Sequence, residues 1–246
     1  MGFWIRAIPS ILEENEKTGW NVYKLFNKSS CLIKNLSCHV GVLSEGKMPH
    51  PLHQHAEEEL IVILCGEIEI TIAQARQPYG KKQDRLKRGS VIYLSAHHQH
   101  TIRSIGPGPA EFLIIRWKGT INKLNDDISK SFVFNQSERD RLPISKFGSG
   151  LSMIRLFEMP TRYLRNLSAG ILDLKMGTGV KPHRHDHDLA ILLMDGCIET
   201  MNAEISAPAV LFFPAGTPHW QKNTGQIVAS LLAFEFHGDK GLSLQS

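Results

Sequence analysis

His53-Gln54-His55-Ala56-Glu57-Glu58-Glu59-Leu60-Ile61-Val62-Ile63-Leu64-Cys65-Gly66 is the stretch whose reading decides the fold. Two histidines, one residue apart, lead into an apolar run closed by a glycine. On a β-strand, residues two apart point to the same face, so His53 and His55 can reach one ion; a helix would send them in different directions. Histidine is the commonest neutral metal ligand. A matching stretch, His183-Arg184-His185-Asp186-His187-Asp188-Leu189 through Gly196, begins 130 residues later, and in both copies the glycine falls eleven residues after the second histidine. A further histidine follows each copy, His100 in the first and His219 in the second. A repeat at about half the chain length predicts two similar domains in tandem, not a solenoid, whose period is typically ~20–50 residues.

The segments around these histidines read as strands. Leu60–Leu64 is apolar and β-branched, Glu67–Ile72 alternates strictly, and Val91–Leu94 and Glu111–Trp117 follow; Ala190–Met194, Val210–Phe213 and Val228–Phe236 repeat the theme. Short strands punctuated by Gly, Pro and Asn predict an all-β chain of sandwiches or barrels. Helical pattern is confined to Ile8–Glu16 and Ser137–Arg141. The expected organisation is an N-terminal barrel over residues 1–118, a polar connecting segment over 119–150 and a C-terminal barrel over 151–246.

Composition excludes several classes. The chain has 246 residues, 42% of them hydrophobic and 21% charged, a globular balance. Its longest apolar runs fall far short of the ~20 residues of a membrane helix. No apolar leader precedes Arg6, Glu13 and Glu14, so a cytoplasmic location is expected. Cys31, Cys38, Cys65 and Cys197 form no CxxC pair and read as reduced thiols; Cys65 and Cys197, beside the two glycines, are expected to be buried. The net charge of +4 is mild. Its densest basic cluster, Lys81, Lys82, Arg85, Lys87 and Arg88 beside Pro78-Tyr79-Gly80, reads as a solvated hairpin tip, without a motif for nucleic acid.

At these residues the sequence resembles the cupin superfamily, and specifically a bicupin. The family's first motif has a Gly, His-x-His, a Glu and a closing Gly. Here His53, His55, Glu59 and Gly66 match it, with Lys47 in place of the opening Gly; the second copy has Gly177, His183, His185 and Gly196, with Leu189 at the Glu position. The second motif has Gly, Pro-x-Gly, His and Asn. The first copy keeps Gly89 and His100 but carries Ser95, His97 and Ser104 for Pro, Gly and Asn; the second keeps Pro214, Gly216, His219 and Asn223, with Pro208 for the first Gly. The resemblance implies two tandem jelly-roll-type double-stranded β-helix barrels with few short helices.

It also implies two metal sites. His53, His55, Glu59 and His100 suit a divalent transition ion, Fe(II) before Mn(II), Ni(II) or Zn(II), and leave two open positions on an octahedral ion. Strand parity turns Glu59 to the same face, where it could also act as a base; Glu57 shares that parity and is the fallback ligand. His183, His185 and His219 can hold an ion without a carboxylate, with His187 as a possible substitute and Asp186 and Asp188 facing away. Strand alternation from His100 carries Ile102 and Ser104 inward. Arg116, Tyr93 and Trp117 sit on barrel strands, and Arg116 either faces the cavity as a substrate clamp or lies at a rim.

The function expected first is a metal-dependent enzyme acting on a small organic substrate, an Fe(II)-type dioxygenase or other oxidoreductase at the first site. The alternatives are a non-redox isomerase, lyase or hydrolase, and a small-ligand-binding or sensor bicupin without catalysis. The mild positive charge fits an anionic substrate. No nucleic-acid or membrane partner is expected. A compact monomer or a homodimer is expected, with Gly2-Phe3-Trp4-Ile5 packing on the partner barrel.

Overall fold

Alternating apolar residues make strands where the sequence places them. A computed structural model of the chain describes residues 2–9, 12–73, 81–120 and 130–238. Contacts divide the chain into two units. One comprises Ile11–Lys28 and Asn35–Asp140, and the other Met1–Ser10, Ser29–Lys34 and Arg141–Ser246.

In the first unit a six-stranded sheet runs in the order β10 (Phe132–Phe134), β7 (Val91–Leu94), β4 (Glu58–Cys65), β9 (Ala110–Lys118), β3 (Lys34–Leu43), β2 (Trp20–Lys28). A three-stranded sheet has the order β6 (Lys81–Lys87), β5 (Glu67–Ala73), β8 (His100–Ser104). The pairs β10–β7, β7–β4, β4–β9, β3–β2, β6–β5 and β5–β8 are antiparallel. The core between the sheets holds Ile61, Ile63, Ile68, Ile70, Leu86, Ile92, Ile102 and Phe112. β4 is buried on both faces, which is why its sequence is continuously apolar after Glu59.

The second unit repeats the plan. Its large sheet has the order β1 (Trp4–Ala7), β18 (Ala209–Phe213), β15 (Asp188–Asp195), β20 (Ala229–His237), β13 (Asn166–Leu174), β12 (Leu151–Met159), β11 (Ile144–Phe147). Its small sheet is β14 (Gly179–His183), β19 (His219–Asn223), β16 (Cys197–Thr200), β17 (Ala203–Ser206). The edge position taken by β10 beside β7 is taken here by β1 beside β18. Trp4 stacks on Phe212 at 4.9 Å within this unit.

The closing glycines are conformationally required. Gly66 and Gly196 have φ of +73° and +87°, and a Cβ would meet Pro109 O at 2.6 Å in the first and Ala229 Cα at 2.8 Å in the second. The next β-turn motif departs instructively. Gly216 has φ +81°, and its counterpart His97 takes φ +65° although it is not a glycine. The backbone amides of these two residues make the same bond, to His185 O and His55 O respectively, each at 2.7 Å. The tertiary bond holds His97 in the left-handed region.

Several expectations change. Ile8–Glu16 is not helical at its described residues: Asn15 Oδ1 accepts from the Lys17 and Thr18 amides and forms a turn instead. Ser137–Arg141 falls in a 3₁₀ turn, Gln136–Arg141. The segment expected to connect the barrels supplies the edge strands β10 and β11 to the sheets. The N-terminal strand, assigned from sequence to the first barrel, pairs in the second unit. Cys65 is exposed and Cys197 half-buried, because both sit at strand ends beside the glycine turns. Pro78-Tyr79-Gly80 and residues 125–129 lie outside the described residues.

Candidate metal centre

Two strands per unit bring each histidine set together. In the first, His53 and His100 form an antiparallel bridge, with His53 N to His100 O at 3.1 Å and His100 N to His53 O at 2.8 Å. The ring centroids of His53, His55 and His100 lie 4.6–5.9 Å apart. Their ligand atoms can all lie within 4.8 Å of one another. β4 delivers Glu59 to the same place: its Oε2 is 3.2 Å from His55 Nε2 and 3.3 Å from His100 Nε2. Glu57, the fallback, is partly exposed and stands 3.6 Å from the outer nitrogen of His55.

In the second unit β14 and β19 pair His183 with His219. The rings of His183, His185 and His219 lie 4.4–5.2 Å apart, and His183 Nε2 is 2.9 Å from His185 Nε2. Leu189 is buried and supplies no ligand. Asp188 is also buried, but turns to Ser30 and to the Ala215 amide.

The outer nitrogens decide whether these sets suit a cation. His53 Nδ1 faces the Pro51 carbonyl at 3.1 Å, His55 Nδ1 that of Glu57 at 3.0 Å, and His100 Nδ1 that of His98 at 2.9 Å. In the second unit His183 Nδ1 faces Lys181 O at 2.8 Å and His219 Nδ1 faces Thr217 O at 3.0 Å. A carbonyl only accepts, so each Nδ1 carries the proton and each neutral ring aims an Nε2 lone pair inward. Lone pair facing lone pair or carboxylate is repulsive, and a cation among them reverses the sign. His219 Nε2 is buried with no hydrogen-bond partner. Both donor sets therefore fit a divalent transition ion.

The electrostatics agree. Burial lowers the pKa of His53, with the His100 charge adding to it. Burial likewise lowers His185, and pushes His219 down to about 4. Burial would raise Glu59, but His100, His55 and Arg116 outweigh it and hold the carboxyl well below the usual range. At neutral pH His53, His185 and His219 are neutral and Glu59 is ionised, the states a metal requires.

Arg116 faces the cavity. Its Nε donates to Glu59 Oε1 at 2.8 Å, and the guanidinium remains partly exposed. Tyr93 and Trp117 pack on the other side of the sheet, where Tyr93 donates to Glu58 at 2.9 Å. His39 also lines this cavity; burial, then the Arg116 charge, lowers its pKa to about 4. The first cavity measures about 420 Å³ and the second about 620 Å³.

Residues 40–116 match the family model described as a cupin domain. Over 93% of its length the chain has the fold of solved oxalate decarboxylase structures. A formate complex of Lactobacillus farciminis oxalate decarboxylase superposes with a TM-score of 0.66 at 15% identity, over 93% of this chain and 83% of that one. A mutant Bacillus subtilis oxalate decarboxylase gives 0.67 at 15% identity, over 93% and 74%. No curated protein matches the chain in sequence. Among the described residues, no helix is long and apolar enough to cross a membrane.

Sequence reasoning missed Glu235, which lines the second cavity. In the register of the large sheets Glu59 opposes Arg116, and Leu189 opposes Glu235. The signal was present: Ile115-Arg116-Trp117 aligns with Phe234-Glu235-Phe236 once the shorter hairpin of the second copy is counted.

Proposed function

We propose that this chain is a bicupin metalloenzyme that oxidises a small organic anion in its N-terminal barrel. The observation that carries the reading is Glu59: a fully buried carboxylate shared by His55, His100 and Arg116 on the wall of a cavity. A divalent ion held by His53, His55, His100 and Glu59 would supply Lewis acidity and, as Fe(II), a means of engaging dioxygen.

The chain's own residues define the substrate. Ile61, Ile102, Phe112 and Ile114 give the cavity apolar walls. Its volume suits a small molecule. Arg116 brings positive charge to the wall beside Glu59, and a guanidinium matches a carboxylate. Glu59 stays ionised, which suits it as an anionic ligand of the ion and as the partner of Arg116. The four free thiols fit a reducing compartment, which supports the cytoplasm.

Decarboxylation is the second reading, favoured by the oxalate decarboxylase neighbours, one of them a formate complex. One experiment separates the two. Tag-free chain, reconstituted anaerobically with Fe(II) or Mn(II), is offered a panel of small mono- and dicarboxylates while dioxygen uptake and carbon dioxide release are followed. Stoichiometric oxygen uptake supports oxidation; carbon dioxide release without net uptake supports the lyase. Absence of metal binding in the parent, beside His100→Ala and His219→Ala, would sink both and leave a ligand-binding bicupin.

A further inference from the structure

Beside the C-terminal motif histidines lies a second cluster that the cupin motifs do not include. Asp186, His187 and His237 can each place one ligand atom within 4.8 Å of the others. Asp186 and His187 precede β15, and His237 ends β20, the neighbouring strand. The His187 ring stacks at 4.5 Å on the motif residue His185 and lies 4.0 Å from the His237 ring.

The unusual member is His187. It is 8% exposed, and neither of its ring nitrogens has a hydrogen-bond partner. Leaving a buried imidazole unpaired on both sides is costly. The carboxylates near it stand too far for good hydrogen bonds: Asp186 Oδ1 is 3.5 Å from Nδ1, and Glu235 Oε1 is 3.8 Å from Nε2. His237 Nε2 is 3.3 Å from Glu235 Oε2, which also accepts from Ser168 Oγ at 2.7 Å.

The 3.5 Å between His187 Nδ1 and Asp186 Oδ1 suits two ligands of one ion. Two atoms each about 2.0–2.1 Å from a tetrahedral zinc stand roughly 3.3 Å apart. Two imidazoles with carboxylate oxygens form a donor set for a first-row divalent ion.

We propose that Asp186, His187 and His237 form a second divalent-metal site in the C-terminal unit, with Glu235 as the carboxylate between it and the site of His183, His185 and His219. Glu235 fits that position because it lines the cavity of the motif histidines and also contacts His187 and His237. The proposal stands apart from the reaction assigned to the N-terminal barrel. It would give the C-terminal unit two neighbouring ions, the arrangement that clamps an oxyanion in two-metal sites.

The test is metal stoichiometry of the chelator-stripped full chain, titrated with Zn(II) by calorimetry and with Co(II) by its visible absorption. His237→Ala and Asp186→Asn change partly or fully exposed groups, so folding should survive; circular dichroism checks this. Both variants are expected to lose one zinc equivalent, or to bind it more weakly than the ~10–100-fold cost of losing an outer-shell partner. His183→Ala should lose a different equivalent, and His237→Ala/His183→Ala two. His100→Ala should leave both C-terminal equivalents in place, so failure at the N-terminal barrel stays distinguishable. Unchanged stoichiometry and affinity in His237→Ala and Asp186→Asn would overturn the proposal. So would His237→Ala and His183→Ala losing one and the same equivalent.

Discussion

Asn223 and Ser104 occupy the same place in the two units, and their replacement by alanine is expected to act in opposite senses. Asn223 is fully buried; its Nδ2 donates to Leu174 O at 2.8 Å and Ile227 O at 2.7 Å, and its Oδ1 accepts from the Gly225 amide at 2.8 Å. It ties the end of β13 to the turn before β20. Asn223→Ala removes three buried hydrogen bonds, each worth about 1 kcal/mol net, and strands backbone groups that then go unpaired. The expected loss is roughly 2–4 kcal/mol. At roughly 2–4 °C per kcal/mol for a chain of this size, the midpoint falls by about 5–15 °C. Ser104 is equally buried, yet its Oγ has no hydrogen-bond partner. Ser104→Ala therefore deletes a desolvated hydroxyl and is expected to change stability by less than about 0.5 kcal/mol, or to raise it. The assay is urea unfolding followed by fluorescence and circular dichroism, fitted per transition in case the units unfold separately. Asn223→Asp is the control, since it keeps the acceptor and turns a carboxylate on two carbonyls. The reasoning fails if Asn223→Ala matches the parent, or if Ser104→Ala is the more damaging of the pair.

His97→Gly is expected to stabilise by about 0.5–1 kcal/mol, because relief of a left-handed φ exceeds the added unfolded-state entropy; a lower urea midpoint would contradict this. The metal-free chain should lose stability as pH falls. The pKa of His219 drops from the usual 6.5 to about 4 on folding, so the unfolded state binds more protons in that window. NMR titration of His219 with a midpoint near 6.5, or a flat stability profile from pH 6.5 to 4, would refute it. Arg116→Ala should lower kcat/KM for anionic substrates by ~10–150-fold, the equivalent of a lost charge-assisted hydrogen bond of about 1.5–3 kcal/mol. Neutral analogues should be spared, and an equal loss on both would remove Arg116 from substrate binding.

Apolar runs and alternation located β4, β5, β7, β9, β15, β18 and β20, because burial on one face or on both leaves a local pattern in the sequence. The burial of β8 and β19 shows this: His100, Ile102 and Ser104 are buried with Arg103 exposed, and His219, Gln221 and Asn223 are buried with Lys222 exposed. The histidine sets were legible for the same reason, since His-x-His on a strand states its own geometry. What the sequence could not show was pairing across strands. Only the sheet register sets Arg116 against Glu59 and Glu235 against Leu189. Only the tertiary fold puts His187 and His237 face to face, 50 residues apart in the chain. The turn at Asn15, where a side chain captures backbone amides, overrode a helical pattern that looked adequate in isolation. The edge positions of β1 and β10 were likewise decided by which sheet edge lay open, a long-range fact with no local signature. Local spacing determined which residues could share a face; the folded sheets decided which of those faces meet.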